Sequence, residues 1–475
     1  VPAARRAPNK NKIAAGRHAS AGTAAYVHFP GKDARMVAQS PTLLSTIDKI
    51  TRRLLPFLLL MYVLAFLDRA NVGFAKKAFQ ADTGISDAAF ALGASIFFLG
   101  YALFEVPSNL IMHRVGARIW MARIMVTWGL ISAAMMFAHN ETTFYILRVL
   151  LGIAEAGFFP GVILYLTYWF PSFARGRAMG LFYFGAPLAF IFGSPLSGLL
   201  LEFQGFGGLH GWQWMFLVEG LLASVVGVWA YFYLDNKPAD AKWLNDAEKA
   251  ELARSLGAEE SAKQAHGPRG ALASLGNPRV LYFALIYFII QMSVYGVVFY
   301  LPTQVAGLLG TNVGLTVGFV TAIPWVCALI ATYLLPRWSD QTGERRLFAG
   351  GILVVCAAGI AASVASGSPA LSLVALCFAA AGFISVQPIF WTLPTGYLGG
   401  VAAAGGIALI NSLGSLGGFV APNVKTWAEA FFQSSAAGLY LLAGTTLLGA
   451  ILVFALATVG IGRETRTAVT SASSR

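Results

Sequence analysis

The sequence predicts an all-α membrane protein: twelve transmembrane helices in two six-helix bundles, with both termini cytoplasmic. Three observations carry this. First, of 475 residues 57% are hydrophobic and only 11% charged, with a mean hydropathy of +0.68. Soluble domains are usually about 25% charged, so this chain has too few charges to cover a water-facing surface. Second, apolar runs begin near Leu54, Ala88, Ala117, Thr142, Ala178, Trp212, Val280, Val313, Leu347, Ala370, Ala402 and Gly438. Each reaches the roughly 20 helical residues that cross a hydrocarbon core. Third, the charges between the runs are sorted by side.

With the N-terminus cytoplasmic, that side holds the cations of Arg5 through Arg53, then Arg114, Arg118 and Arg123, then Arg175 and Arg177. It also holds those of Lys237 through Arg279, Arg337, Arg345 and Arg346, and Arg463, Arg466 and Arg475. The other side has Lys76, Lys77 and Lys425. This is the positive-inside asymmetry. The formal charge of +12 therefore reports topology in a lipid bilayer, and no nucleic-acid partner is expected.

Along the chain, residues 1–53 read as a basic cytoplasmic tail without fixed structure, with a translation start possible at Met36. The first 35 residues hold no apolar core of the length a secretory signal needs. Residues 54–234 form the first six-span bundle and 279–460 the second, with 461–475 a short cytoplasmic tail. Between the bundles, 235–278 is polar and of mixed charge, a linker with a short surface helix over Asn245 to Leu256. A division into six plus six suits a secondary transporter with its site between the halves. The loops repeat faintly: Asp340 to Arg346 follows the eighth span and His113 to Arg118 the second. Cys327, Cys356 and Cys377 lie in apolar spans without paired spacing and read as small buried hydrophobes. Glycines such as Gly152, Gly157, Gly161, Gly414 and Gly417 permit close helix packing, and also bending.

Charges inside the spans are the informative residues, since each costs roughly 2.5–3.5 kcal/mol at mid-bilayer on the insertion scale. The first span carries Asp68 and Arg69, the fourth Arg148 and Glu155. Asp68 lies about 21 Å along its helix from the inner end and Arg148 about 9 Å from the outer end, so their depths coincide in a core about 30 Å thick. Glu155 follows Arg148 by about two turns on the same face. Depth thus gathers two cations and two carboxylates around one cavity. Guanidiniums do not lose their charge and bind a carboxylate bidentately, so Arg69 and Arg148 are candidate anion-binding residues. Asp68 and Glu155 can take up protons and are candidate proton carriers. The plain alternative is an Asp68–Arg148 salt bridge that only locks helices.

Other polar groups in the spans are Tyr101, Gln291, Tyr295, Gln387, Trp391 and Asn411. Gln291 and Asn411 are the better candidates for ligand contact, because a buried amide must find partners. Glu105 is expected to partner the Arg114–Arg118 loop, and Glu219 to be structural. No cofactor loop, nucleophile elbow or metal cluster is present in the sequence, so an enzyme, a cofactor and a metal are not expected.

Several segments resemble the anion:cation symporter family of the major facilitator superfamily. They are Leu67-Asp68-Arg69-Ala70-Asn71-Val72-Gly73, the stretch from Phe98 through Tyr101, Glu105 and Pro107 to Asn109, and Arg148 through Gly152, Glu155 and Gly157 to Gly161. Gly211-Trp212-Gln213-Trp214, Ser339-Asp340 through Arg346, and Ala408 to Ser412 continue the match. The resemblance implies proton-driven uptake of organic anions, such as tartrate, galactonate, phthalate or hydroxyphenylacetate, across a bacterial inner membrane. It implies proton coupling at Asp68 and Glu155. It implies substrate contacts at Arg69, Arg148, Tyr101, Trp391 and Asn411, beside which Gln291 and Tyr295 stand as candidates from their position alone. Asp340, Gly343, Arg345, Arg346 and Arg118 are expected to gate the inner side. A monomer is expected.

Two departures from the family pattern stand out. His113 replaces the usual loop acid, and the fifth span, from Arg177 to Glu202, has neither Asn nor Gln. Tyr183, Ala186 and Phe190 offer a less polar wall, which favours a tartrate-like hydroxydicarboxylate or an aromatic carboxylate over an aldonate. A sugar-acid symporter, and an anion exchanger that moves no proton, remain open alternatives. A non-transporting sensor would need a signalling domain that neither tail nor linker supplies.

Overall fold

Polar caps decide where the apolar runs start as helices. Ser86 Oγ accepts from the Ala89 amide at 3.1 Å, Asn140 Oδ1 from Thr143 at 2.9 Å and Asn277 Oδ1 from Arg279 at 2.9 Å. Each satisfies a backbone donor that a helix start leaves open. The computed structural model describes residues 40–266, 277–397 and 400–456.

In chain order the helices are α1 (Pro41–Thr83), α2 (Asp87–Val115), α3 (Ala117–Ala134), α4 (Glu141–Glu155), α5 (Phe158–Trp169), α6 (Ser172–Tyr183), α7 (Gly185–Leu201) and α8 (Gly211–Tyr233). They continue with α9 (Asp246–His266), α10 (Pro278–Val298), α11 (Leu301–Leu309), α12 (Leu315–Thr342), α13 (Arg345–Ala365), α14 (Pro369–Tyr397), α15 (Gly400–Phe431) and α16 (Ala437–Ala455). Among the described residues there are no strands, and 12 helical segments are long and apolar enough to cross a membrane. The chain is a multi-pass α-helical membrane protein.

Two boundaries differ from the sequence reading. Helix α1 starts at Pro41, so residues 41–53, expected in the tail, extend the first helix instead. Its buried Leu43, Ile47 and Ile50 explain this, since they continue an apolar stripe at helical spacing. Residues 1–39 and 457–475 lie outside the described residues. The linker helix is longer than expected, and Asn245 and Glu248 form a reciprocal capping pair at its start, 2.8 Å in each direction. The linker docks on the first bundle. Trp243 stacks on Trp169 at 5.5 Å and donates to Asp235 at 2.9 Å, and Lys49 pairs with Glu248 at 2.9 Å.

Among the described residues two spans are interrupted within their length. The fourth breaks between α4 and α5, where Gly157 has φ +88°. The fifth breaks at Phe184, and the seventh ends at Val298, just before the short helix α11. Most of the described glycines serve close approach: a Cβ on Gly152 would stand 2.1 Å from the Phe97 carbonyl oxygen, one on Gly414 2.1 Å from the Tyr287 ring. Gly157 does both jobs, for a Cβ there would also meet Ser108 Oγ at 2.3 Å. Only Cys356 is fully buried; Cys327 and Cys377 are half-exposed.

The two bundles meet along α2 with α15 and α7 with α12. Among the described residues the hydrogen bonds between bundles run from the level of Glu105 to the end opposite the linker. They include Asn423 Nδ2 to Ser95 Oγ at 2.7 Å and the Leu315 amide to Glu202 Oε1 at 2.7 Å. At that far end Lys76 and Lys425, one from each half, approach the Tyr300 ring to 5.0 and 3.8 Å. Phe190 stacks on Trp325 at 3.9 Å across the same interface. The far end is closed.

Candidate functional site

Helix α1 presents Tyr62, Phe66 and Arg69 on one face, at helical spacing, toward the seam between the bundles. Asp68 lies one residue back and therefore about 100° away around the helix. This rotation gives Arg69 and Asp68 different direct partners.

At the seam, Arg69 is 12% exposed and pairs with Glu155, whose side chain is fully buried at the last position of α4. Arg69 Nε and Nη2 both address Glu155 Oε1, at 2.8 and 2.5 Å, and Oε2 has no hydrogen-bond partner. Arg69 Nη1 donates to the Tyr295 hydroxyl of the second bundle at 3.2 Å. The guanidinium lies 4.9 Å from the Tyr101 ring, 5.4 Å from Phe66 and 5.6 Å from Phe97. Such rings shield the cation from water and attract it electrostatically. The break after Glu155 brings the carboxylate here, because it ends α4 at this level.

Away from the seam, Asp68 accepts hydrogen bonds from Ser132 of α3 and, at 3.2 Å, from Asn71. Arg148 donates to the carbonyls of Gly93 at 3.2 Å and Ala94 at 2.6 Å, against the Phe97 ring. Both are buried, and they form no ion pair with each other. The four expected charges lie within electrostatic reach of one another, and of them only Arg69 and Glu155 form an ion pair. The simple Asp68–Arg148 lock is absent as well.

The second bundle supplies Tyr287, Gln291 and Tyr295 at one-turn intervals along α10, a spacing that puts all three on one face. Gln291 Oε1 is buried without a partner. Trp391 packs edge-on against Tyr287 at 4.9 Å. Asn411 Nδ2 donates to Glu105 Oε1 at 2.7 Å, and Ser412 Oγ to Glu105 Oε2 at 3.0 Å. Glu105 is thus a buried bridge between the bundles, not the partner of the Arg114–Arg118 loop; it faces α15 one turn along α2 from Tyr101. Tyr62 and Tyr287 also belong to this seam and escaped the sequence reading, although the i, i+4, i+8 pattern from Tyr287 to Tyr295 was there to find.

Of the expected gating residues, Arg118 donates from Nε to the Tyr231 carbonyl at 2.5 Å and stacks on that ring at 4.6 Å, tying α3 to α8. Gly343 has φ +72° and caps α12, and Arg345 and Arg346 open α13. The side chains of Asp340 and His113 lie outside the described residues.

Twelve spans in two halves, a charged pair at the seam and broken helices beside it are matched by sequence. The profile of the Major Facilitator Superfamily matches residues 58–422. The chain belongs to the Major Facilitator Superfamily. Among curated relatives, "Inner membrane transport protein RhmT" of Escherichia coli is 52% identical over 88% of this chain and 96% of its own. A protein of Agrobacterium vitis named "Putative tartrate transporter" is 46% identical over 86% of this chain and 90% of its own. "Putative metabolite transport protein NicT" of Pseudomonas putida is 41% identical over 88% and 98%. A solved structure of a bacterial homologue of the human lysosomal transporter Spinster, inward-facing and unoccupied, superposes with a TM-score of 0.65 at 17% identity, covering 87% of this chain and 95% of that one. That likeness concerns the fold. As a major facilitator, the protein is a membrane transporter and not an enzyme.

Proposed function

We propose that this transporter takes up a small organic carboxylate together with protons, by alternating access, across a bacterial inner membrane with the linker end cytoplasmic. The charge asymmetry of the loops and the name of the Escherichia coli relative support the orientation and the membrane. The observation that carries the coupling is the Arg69–Glu155 pair.

Glu155 neutralises the charge of Arg69 only while it is ionised. A substrate carboxylate that takes Arg69 displaces Glu155, and an unpaired carboxylate buried there is costly, about 3–5 kcal/mol for breaking such a pair. Protonation removes that cost. Anion and proton therefore favour each other's binding at one guanidinium, which is the linkage symport requires. Once the site opens to the side of lower proton concentration, Glu155 loses its proton, reclaims Arg69 and expels the anion. Asp68 is the second proton carrier in this reading. Arg148, held by carbonyls of α2, sets the field behind the pair and contributes to substrate binding when α2 and α4 shift.

The substrate is a tartrate-like hydroxydicarboxylate or an aromatic carboxylate. The name of the Agrobacterium vitis relative and the aromatic surround of Arg69 support this. A second reading, a sugar acid, is favoured by the hydroxyls of Tyr62, Tyr287 and Tyr295 at the seam, which can replace the amide missing from the fifth span. The test is competition among tartrate, galactonate and hydroxyphenylacetate for uptake. Galactonate outcompeting the other two would replace the first reading with the second.

A further inference from the structure

Residues 41–53, found at the start of α1, build a pocket that the transport cycle does not use. The buried stripe Leu43, Ile47 and Ile50 turns the other side of the helix outward, and Ser45, Asp48, Lys49, Arg52 and Arg53 fall there at helical spacing. These five line a cavity of about 620 Å³ that Tyr233, at the end of α8, and Trp243, in the linker, wall off. Both walls are fixed. The Tyr233 hydroxyl donates to the Arg53 carbonyl at 2.8 Å, and its ring packs on Phe57 at 4.6 Å. Trp243 is held by its stack on Trp169 and its hydrogen bond to Asp235. The Arg53 guanidinium stands between the two rings, 5.1 Å from Tyr233 and 5.0 Å from Trp243. Its Nε is buried without a hydrogen-bond partner. Among the described residues neither Arg52 nor Arg53 forms an ion pair, whereas Lys49 is engaged by Glu248. Ring faces hold a cation in place but leave its N–H donors without the acceptors they need. Phosphate oxygens suit the planar fork of arginine. Depth indicates which phosphate: Arg53 directly precedes Leu54, where the first apolar run begins, and so lies at the level of the lipid headgroups. A tyrosine or tryptophan that only anchors a helix turns its ring to the lipid; here both rings are half-buried and pack on the guanidinium.

We propose that this cavity binds the phosphate of an anionic phospholipid from the leaflet at the linker end, with Arg52 and Arg53 as the phosphate-binding residues. A basic pocket at the membrane surface of a helix bundle suits such a headgroup. Asp48 lines the same cavity one turn before Arg52, about 6 Å further from the membrane, and opposes the anion from that end. Because α1, α8 and the linker all contribute, a bound headgroup ties the linker to the first bundle. The site rests on the multi-pass fold alone and is independent of substrate and proton coupling.

Native mass spectrometry of the delipidated full chain, titrated with phosphatidylglycerol or phosphatidylcholine, reads the site without any transport. The wild type is expected to hold one phosphatidylglycerol in preference to phosphatidylcholine. Arg52→Gln and Arg53→Gln should each weaken that binding about fivefold, the effect of one cation at the membrane surface on an acidic lipid, and Asp48→Asn should strengthen it. Arg52 is exposed and bonds to no other described side chain, so its variant decides the matter even where Arg53→Gln fails to fold. Arg337, an exposed arginine of α12 beside the Tyr333 ring, gives the comparison. Equal weakening in Arg337→Gln overturns the site and leaves only general surface charge. Equal retention of the two lipids overturns it as well. Displacement of phosphatidylglycerol by millimolar inorganic phosphate would overturn the lipid and make the pocket a site for a soluble phosphate.

Discussion

Arg69 and Glu155 meet on a single oxygen. Two guanidinium nitrogens converge on Oε1, at 2.8 and 2.5 Å, while Oε2 is buried without a partner. A fork-to-fork pair uses both carboxylate oxygens. This one leaves an oxygen on which a proton can sit without first breaking a hydrogen bond.

Glu155→Gln is therefore expected to bind substrate and exchange it across the membrane, but not to accumulate it against a gradient. The glutamine keeps a neutral acceptor for Arg69, yet nothing at that position then titrates. Counterflow and uphill uptake measured in the same vesicles check this. Full accumulation by the variant removes Glu155 from the mechanism.

Arg69→Lys keeps the charge and loses the planar fork that addresses Glu155 and Tyr295 together. Hydrogen bonds to charged groups contribute about 1.5–3 kcal/mol each, so apparent substrate affinity should fall at least about tenfold. Uptake kinetics over a range of substrate concentrations give the comparison. An unchanged KM would place the anion elsewhere.

Gly157→Ala places a Cβ 2.3 Å from Ser108 Oγ on a residue with φ +88°. The backbone conformation alone costs roughly 1–2 kcal/mol for a residue with a Cβ. Thermal unfolding in detergent should show a lower midpoint than Gly180→Ala, where a Cβ meets nothing within 4 Å.

Glu105 and Asn411 should be energetically coupled, since one carboxylate serves donors on the opposite bundle. A double-mutant cycle of Glu105→Ala and Asn411→Ala on thermal stability should give about 0.5–3 kcal/mol of coupling. Additive effects would mean that the 2.7 Å contact carries no energy.

The linker helix offers a pH test outside the membrane. The Asn245 backbone amide and the Lys49 ammonium hold the Glu248 carboxyl below its usual range. A depressed carboxylate stabilises the fold above its unfolded value, about 4.3, and that contribution is lost as pH falls through the folded value. Protection of the first-turn amides of α9 against hydrogen exchange, taken relative to the intrinsic rate at each pH, should fall in acid in the wild type and be low throughout in Glu248→Gln.

Twelve spans, their starts and the six-plus-six division were legible because apolar length and charge sorting are properties of the one-dimensional chain. The depth of Arg69 and Glu155 was legible for the same reason. Direction was not. Whether Asp68 faces the seam or Ser132 depends on about 100° of rotation that α3 and α8 decide by packing. Glu105 was misread because its partners, Asn411 and Ser412, lie on a helix in the other half of the chain. The early start of α1 was legible in Leu43, Ile47 and Ile50, where nearby cations masked the stripe.

The central claim is that anion and proton meet at Arg69 and Glu155. Its most direct test is to record external pH and substrate uptake together in weakly buffered proteoliposomes on adding tartrate, galactonate or hydroxyphenylacetate. The wild type should turn the medium alkaline in step with uptake of the acid it transports, and Glu155→Gln should exchange that acid with a reduced pH change or none. Uptake by the wild type with no movement of external pH would contradict the account and make the protein an anion exchanger.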